Sequence, residues 1–139
     1  MKIKMDWKSC MDNLTAKNVI PDENMVKSLI KASNNKLLSE EKLEMSDVSA
    51  ASKLSLAYDS LRELLEAFAL KNGYRIYNHE CYTAFLKEVA KQSEKGDEFD
   101  EIRKIRNAVN YYGKDITAKE AAEIISKIKK LRNFIDALL

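Results

Sequence analysis

Apolar side chains recur every three or four residues along this chain, and few residues interrupt the pattern. The clearest stretch carries Phe99, Ile102, Ile105, Val109 and Tyr112. This spacing forms one apolar stripe along an α-helix. Glycine and proline, which mark turns and breaks, number only three and one in 139 residues. The sequence therefore predicts an all-α fold, an antiparallel helical bundle.

Capping and turn residues predict where the helices of the first half begin and end. A short helix carries Trp7 to Leu14, and Pro21 opens a second helix that Asn34 and Asn35 interrupt. The longest helix is capped by Ser46 and Asp47, runs to about Lys71 and ends at Gly73. The composition of the whole chain favours helices over β-hairpins.

The second half shows the same signals. Residues 74–77 read as a connector, and Asn78 caps the next helix. Residues 92–97 read as the most exposed loop, before the helix that contains residues 99–112. Thr117 and Glu120 form a capping box at the start of the last helix.

The length favours one domain over residues 1–139. We predict a four-helix core at 46–139 and an N-terminal helical extension at 1–45. The extension either packs across this bundle or swaps onto a neighbouring protomer.

Composition narrows the classes of function. A net charge of +2 gives no overall field for nucleic acid, so any basic surface is local. Cys10 and Cys81 form no cysteine framework, which favours a reducing cytoplasm. A single His leaves no histidine-based metal cluster within a protomer, and we expect neither a metal nor a cofactor. No signal peptide or membrane span is predicted.

Arg106 stands out because it falls inside the apolar arc of its helix, between Phe99 and Ile102. A guanidinium is costly there unless it finds a partner or a wet groove. One interpretation is an Arg that extends over the core towards a carboxylate. The other is a binding groove, because a polar flank follows the same helix: Arg103, Asn107, Asn110 and Lys114.

The run Arg106-Asn107-Ala-Val-Asn-Tyr111 resembles the signature of HEPN-domain proteins, in which Arg-Asn is followed by a His four to six residues after the Arg. Upstream, the helix that ends Leu64-Leu65-Glu-Ala-Phe-Ala-Leu-Lys-Asn-Gly73, followed by Tyr77-Asn-His79-Glu80, is similar to the matching HEPN helix pair. The chain is most similar to archaeal HEPN-like proteins that carry Tyr-Tyr-Gly in place of the His. The resemblance covers residues 21–139 and implies a HEPN-like bundle that forms a homodimer, with Arg106 near the two-fold axis.

The resemblance also implies what the site does and where it departs from the family. HEPN ribonucleases act on RNA with their Arg and His across a dimer. Here Tyr111 holds the His position, and a phenol is a poor general base at neutral pH. We therefore expect a catalytically degenerate binding or regulatory module for RNA or a nucleotide, and lean against an enzyme. Its expected ligand-binding residues are Arg103, Arg106, Asn107, Asn110, Tyr111 and Lys114.

Two alternatives stay open. One is a metal-independent, toxin-like ribonuclease with an altered base, in which Arg106 and Tyr111 are catalytic. His79 could serve as its base, although a lone His usually has a structural role. The other is an antitoxin-like or substrate-presenting partner of a minimal nucleotidyltransferase. Some such HEPN partners carry an acceptor Tyr where this chain has Gly113. The tyrosines of the connector, Tyr74, Tyr77 and Tyr82, read as packing residues.

Overall fold

The computed structural model describes residues 5–139, and the first four residues lie outside this range. The described chain forms six α-helices and one two-stranded sheet, which confirms the predicted all-α helical bundle. In chain order the elements are α1 (Trp7–Asp12), β1 (Ala16–Asn18), α2 (Glu23–Lys42), α3 (Ala50–Lys71), β2 (Tyr74–Ile76), α4 (His79–Ala84), α5 (Ser93–Tyr111) and α6 (Ala118–Asp136). A π-helical turn at Phe85–Val89 continues α4.

Helix α3 lies at the centre of the bundle. It packs against α2, α5 and α6 and is buried on most of its surface. Its largest fully buried side chains are Tyr58, Leu54, Leu61, Leu64 and Leu65. Burying one such leucine contributes about 1.5–3 kcal/mol to folding. The outer helices are more polar: α2 has only Ser33 and Glu40 fully buried.

The two-stranded sheet was not predicted. Strands β1 and β2 pair antiparallel, with Ala16 opposite Ile76 and Lys17 opposite Arg75. Ala16 and Ile76 are buried in the core, so one face of this small sheet is covered. Because each strand is only three residues long, neither carries a periodicity that a sequence pattern could reveal.

A disulfide joins Cys10 in α1 to Cys81 in α4, with 6.1 Å between the Cα atoms. The prediction that Cys10 and Cys81 form no cysteine framework is therefore wrong, and the two cysteines no longer favour a reducing compartment. The ring of Trp7 also packs edge-on against Tyr74, 5.2 Å between centroids. In the described chain, α1 therefore packs on the helices of its own bundle.

Several predicted boundaries are wrong for identifiable reasons. Helix α2 runs through Asn34 and Asn35, because the Asn34 side chain accepts a hydrogen bond from Arg132 on α6. The N-cap of α3 is Ser49, and the predicted cap Asp47 instead accepts from the backbone N–H of Ala118 at 2.8 Å. A tertiary contact overrides local propensity in both places.

The predicted loop at residues 92–97 is largely helical, since α5 begins at Ser93. Gly96 is buried there, and a Cβ on it would meet the carbonyl oxygen of Thr83 at 3.1 Å. Because Gly96 has no side chain, α5 can approach α4 closely. The polar composition of residues 92–97 predicted an exposed loop and gave no sign of this contact.

Three other predicted helix ends are confirmed. Gly73 follows α3 with φ +88°, Asn78 accepts from the Glu80 N–H at 2.9 Å, and Thr117 and Glu120 form the capping box. Within residues 5–139, no helix combines the length and the apolar character needed to cross a bilayer.

Candidate functional site

Helix α5 carries five of the six predicted site residues, and two of them, Arg106 and Asn110, contact the first half of α3. Arg106 is the most enclosed of them, with a side chain 12% exposed. Tyr111 and Tyr112 end the helix and are 66% and 82% exposed. The apolar stripe of α5 explains this placement, because Phe99 and Ile102 are buried in the core and draw the neighbouring Arg106 inwards.

The guanidinium of Arg106 lies beside two tyrosine rings. Its Cζ is 4.8 Å from the ring centroid of Tyr58 on α3 and 5.2 Å from that of Tyr111. Its Nη1 donates to the Tyr111 hydroxyl at 2.9 Å and more weakly to the Asn107 side chain at 3.5 Å. Cation–π contacts of this kind contribute about 0.5–2 kcal/mol each, depending on desolvation.

Carboxylates neutralise this guanidinium only weakly. Within the described chain its one ion-pair contact is Nη2 to Asp59 Oδ1 at 3.9 Å, near the limit of a salt bridge. Its Nε is buried and has no hydrogen-bond partner among residues 5–139. Arg106 therefore extends towards a carboxylate, as the first interpretation expects, but only at long range. The guanidinium keeps an N–H donor that no described residue accepts from.

Tyr58 connects Arg106 to the single histidine. Its hydroxyl shares a hydrogen bond of 3.0 Å with His79 Nδ1, at the start of α4. Burial, with the charges of Arg62 and Arg106 adding to it, lowers the pKa of His79 to about 4. Burial also raises the pKa of Tyr58 to about 12, although the nearby arginines oppose this. Near neutral pH both groups are therefore uncharged, and the fixed charge at this point is the guanidinium.

The remaining predicted residues are only partly brought together. Arg103 donates to Asp100 one turn back, 2.8 Å from Nη2 to Oδ1, so its charge is already paired. The Asn110 side chain accepts from Ser55 on α3 at 3.2 Å. Lys114 is exposed beyond the end of α5. Arg106, Asn107 and Tyr111 form one contact cluster. Arg103 instead forms an ion pair within α5, and Asn110 joins α5 to α3.

Sequence reasoning missed two members of the cluster. Tyr58 and Asp59 are on α3, almost fifty residues from Arg106, and Tyr58 looks like any core position in the apolar stripe. His79 was considered as a base, but nothing in its spacing places it one side chain away from Arg106. Its position depends on how α4 packs on α3, which is a tertiary property.

A groove of about 250 Å³ lies elsewhere, between α5 and α6. Its apolar lining is Ile102, Ile105 and Ile124. Its charged lining is Lys95, Glu98 and Glu101 on α5 and Lys127 and Lys130 on α6. Arg106 and the other predicted binding residues do not line it. Among residues 5–139, no group of three or more His, Cys, Asp or Glu side chains is arranged to hold a metal ion.

Comparisons with protein-family models, curated proteins and solved structures found no match to this chain. The HEPN resemblance of the segment around Arg106 thus stays a prediction.

Proposed function

We propose that this chain is a HEPN-like binding or regulatory module that holds RNA or a nucleotide at Arg106, in a cleft completed by a second copy. The observation that carries the proposal is the incomplete neutralisation of the Arg106 guanidinium, with a carboxylate no nearer than 3.9 Å among the described residues and a buried, unpartnered Nε. A phosphate oxygen is the natural acceptor for such a planar donor.

The surroundings of Arg106 support a nucleic-acid ligand rather than a free inorganic anion. Tyr111, which lies beside the guanidinium, and the next residue, Tyr112, leave most of their surface open to solvent. Exposed aromatic rings next to a cation are the usual means of holding bases of single-stranded nucleic acid by stacking. Tyr111 already lies against Arg106, so a ligand phosphate would replace or share its hydroxyl contact of 2.9 Å.

The homodimer belongs to this proposal. Arg106 lies five residues before the end of α5, and its side chain is 12% exposed. A second copy related by a two-fold axis could bring two guanidinium groups to one phosphate chain. Light scattering after size-exclusion chromatography tests it. A strict monomer at micromolar concentration removes the shared cleft from the proposal and leaves a single-copy site.

A second candidate, a metal-independent ribonuclease, has one observation in its favour. His79 lies one side chain away from Arg106, through the Tyr58 hydroxyl at 3.0 Å. Against it, a His with a pKa of about 4 is a weak base and is not protonated near neutral pH to act as an acid. We therefore rank this candidate second. A nucleotidyltransferase partner and a cytoplasmic location stay open parts of the proposal.

The test compares wild type with Arg106→Gln and with Lys104→Gln as the matched control. Lys104 lies two residues earlier on α5 and is 64% exposed. Thermal unfolding is followed with a 12-nucleotide oligouridylate and with a mononucleotide. A ligand at a hundred times its dissociation constant adds about 2.7 kcal/mol to the free energy of unfolding. We expect this gain in wild type and the control and its loss in Arg106→Gln.

The same proteins are incubated with RNA in EDTA to decide between the candidates. Cleavage by wild type that disappears in both Arg106→Gln and His79→Gln establishes the ribonuclease and overturns the binding module. If neither the oligonucleotide nor the mononucleotide raises the melting temperature of wild type, the binding proposal is wrong.

A further inference from the structure

The exposed face of the two-stranded sheet carries two cations directly opposite each other. Lys17 on β1 and Arg75 on β2 are register partners, so their Cα atoms are about 4.5–5.5 Å apart. Like charges in this arrangement repel and weaken a sheet, and a two-stranded sheet is marginal to begin with. Among residues 5–139, neither side chain has a carboxylate within salt-bridge distance to offset the repulsion.

Both cations lie beside the ring of Tyr77. Lys17 Nζ is 5.5 Å and Arg75 Cζ 5.9 Å from its centroid. Tyr77 continues the sheet, because its backbone N–H donates to Thr15 at 2.8 Å. Alternation along the strand puts it on the same face as Arg75. Its side chain is 53% exposed, so it differs from Tyr74, which packs on Trp7, and from Tyr82, which is 2% exposed.

We propose that Lys17, Arg75 and Tyr77 form a second contact surface for single-stranded nucleic acid, with a phosphate between the two cations and a base stacked on the tyrosine. An anion at this point relieves the cross-strand repulsion, and the open part of the ring offers a stacking surface. A basic, aromatic platform of this kind is the usual composition of sites that bind single strands without reading their sequence.

This inference rests on the proposed function for its ligand class but uses a different surface. The two surfaces are connected through the fold, because Tyr77 is two residues before His79, whose ring is bonded to Tyr58 beside Arg106. Two residues span at most about 7 Å of chain. One strand could therefore contact the sheet and continue towards Tyr111 and Arg106, so an oligonucleotide binds more tightly than a mononucleotide.

The experiment measures anisotropy of a labelled 12-nucleotide oligouridylate between low and moderate salt. The variants are Lys17→Gln/Arg75→Gln, Tyr77→Leu, and Lys27→Gln/Lys31→Gln, which removes the same charge from the exposed side of α2. Removing the repulsion at the sheet should leave the fold intact, and thermal melting checks this for each variant.

We expect the sheet double variant to weaken binding at least fivefold and to reduce the salt dependence of log K by about 1.4, which is about 0.7 for each lost contact with a single strand. Tyr77→Leu should weaken binding about tenfold through lost stacking. The α2 control should keep the wild-type salt dependence.

The outcomes separate this inference from the proposed function. A sheet double variant that binds like the α2 control overturns the inference, and a loss of binding in Arg106→Gln then still supports the Arg106 site. Weak binding by the sheet variant with wild-type binding by Arg106→Gln supports the sheet and overturns the Arg106 site. Wild type that fails to bind the oligonucleotide at low salt overturns both. If Tyr77→Leu binds normally and inorganic polyphosphate competes equally, the surface recognises polyanions without bases, and the assignment to nucleic acid is wrong.

Discussion

Tyr58 and His79 are joined by a hydrogen bond of 3.0 Å between the phenol oxygen and the ring Nδ1. This contact ties the first turn of α4 to the central helix α3. The Tyr58 ring also lies beside Arg106, 4.8 Å from the guanidinium carbon. The protonation state of His79 is therefore set in the same cluster that holds the candidate binding group.

Lowering the pH should destabilise the protein through His79. The unfolded chain takes up this proton near pH 6.5, whereas the native His79, with a pKa of about 4, takes it up only in more acidic solution. The unfolded state binds more protons between these values, so the free energy of unfolding falls as pH drops from about 6.5 to 4. The loss is about 1–2 kcal/mol once solvent screening at this half-buried ring is allowed for.

The single His makes the measurement direct, because its C2 proton gives one NMR signal. We expect a titration midpoint near 4 and, in His79→Gln, a flatter stability profile between pH 5 and 6.5. Tyr58→Phe tests the hydrogen bond separately: a phenol O–H that donates to Nδ1 stabilises the neutral ring, so its removal should shift the midpoint upwards. A midpoint near 6.5 in wild type contradicts the enclosed position of the ring.

The fold was largely predictable because helical periodicity and capping are local signals. Gly73, Asn78 and Thr117 end or begin helices as expected. The errors arise where a contact distant in sequence decides the outcome. Residues 92–97 look like a loop by composition, but Gly96 is buried against Thr83. The small sheet pairs residues almost sixty positions apart, which no window of sequence reveals.

The candidate site was predictable only along α5. Arg106 inside an apolar arc was correctly singled out as an enclosed guanidinium. Its partners across the helix interface were not, because Tyr58 reads as an ordinary core residue and Asp59 as a surface acid. The Cys10–Cys81 disulfide was missed for a similar reason, since two cysteines 71 residues apart carry no spacing signal.

Breaking this disulfide should destabilise the native state. Closing a loop of 71 residues restricts the unfolded chain, and loss of such a bridge costs about 2–5 kcal/mol. We expect Cys10→Ser/Cys81→Ser to melt at a lower temperature than oxidised wild type and to be insensitive to dithiothreitol. Both cysteines are fully buried, so reduction of wild type should be slow and should need local opening of α1. Equal melting temperatures of wild type with and without reductant, with two thiols titrated after unfolding, would contradict the pairing.

Two buried cations should respond differently to removal. Arg132 donates hydrogen bonds to neutral oxygens, including Ser60 Oγ at 2.9 Å. The hydroxyls of Ser33 and Ser60 each donate to the other's backbone carbonyl, and these bonds do not depend on Arg132. Lys53 is paired with Glu40 at 3.1 Å, and that carboxylate is 3% exposed. We expect Arg132→Met to change the free energy of unfolding by about 1 kcal/mol or less, because no charge is stranded.

Lys53→Met should cost about 3 kcal/mol, since among residues 5–139 it leaves the buried Glu40 with one cationic partner, Lys129, 3.3 Å away. It also removes a donor from the last carbonyls of α2. Urea titration of both variants checks the order. A larger loss in Arg132→Met than in Lys53→Met would show that the hydroxyl network, rather than the carboxylate, dominates this junction.

Replacing Gly96, inside α5, or Gly113, just after α5, by alanine should destabilise the protein, but for different physical reasons. At Gly113 the new Cβ meets nothing within 4 Å, but φ is +66°, so the cost is a backbone preference of about 1 kcal/mol. Inside α5, alanine at position 96 gains about 1 kcal/mol of helix propensity but contacts Lys87 Cγ and the Thr83 carbonyl. We expect a net loss of about 1 kcal/mol there from overpacking.

A double-mutant cycle separates the two causes. Lys87→Ala removes the side-chain atoms that the new Cβ would meet, so it should reduce the cost of Gly96→Ala by at least about 0.5 kcal/mol and leave the cost of Gly113→Ala unchanged. Gly113→Asn should be milder than Gly113→Ala, because asparagine tolerates the left-handed region. Additive effects at Gly96 and Lys87 in urea unfolding would mean that α5 does not approach α4 as closely as this geometry requires.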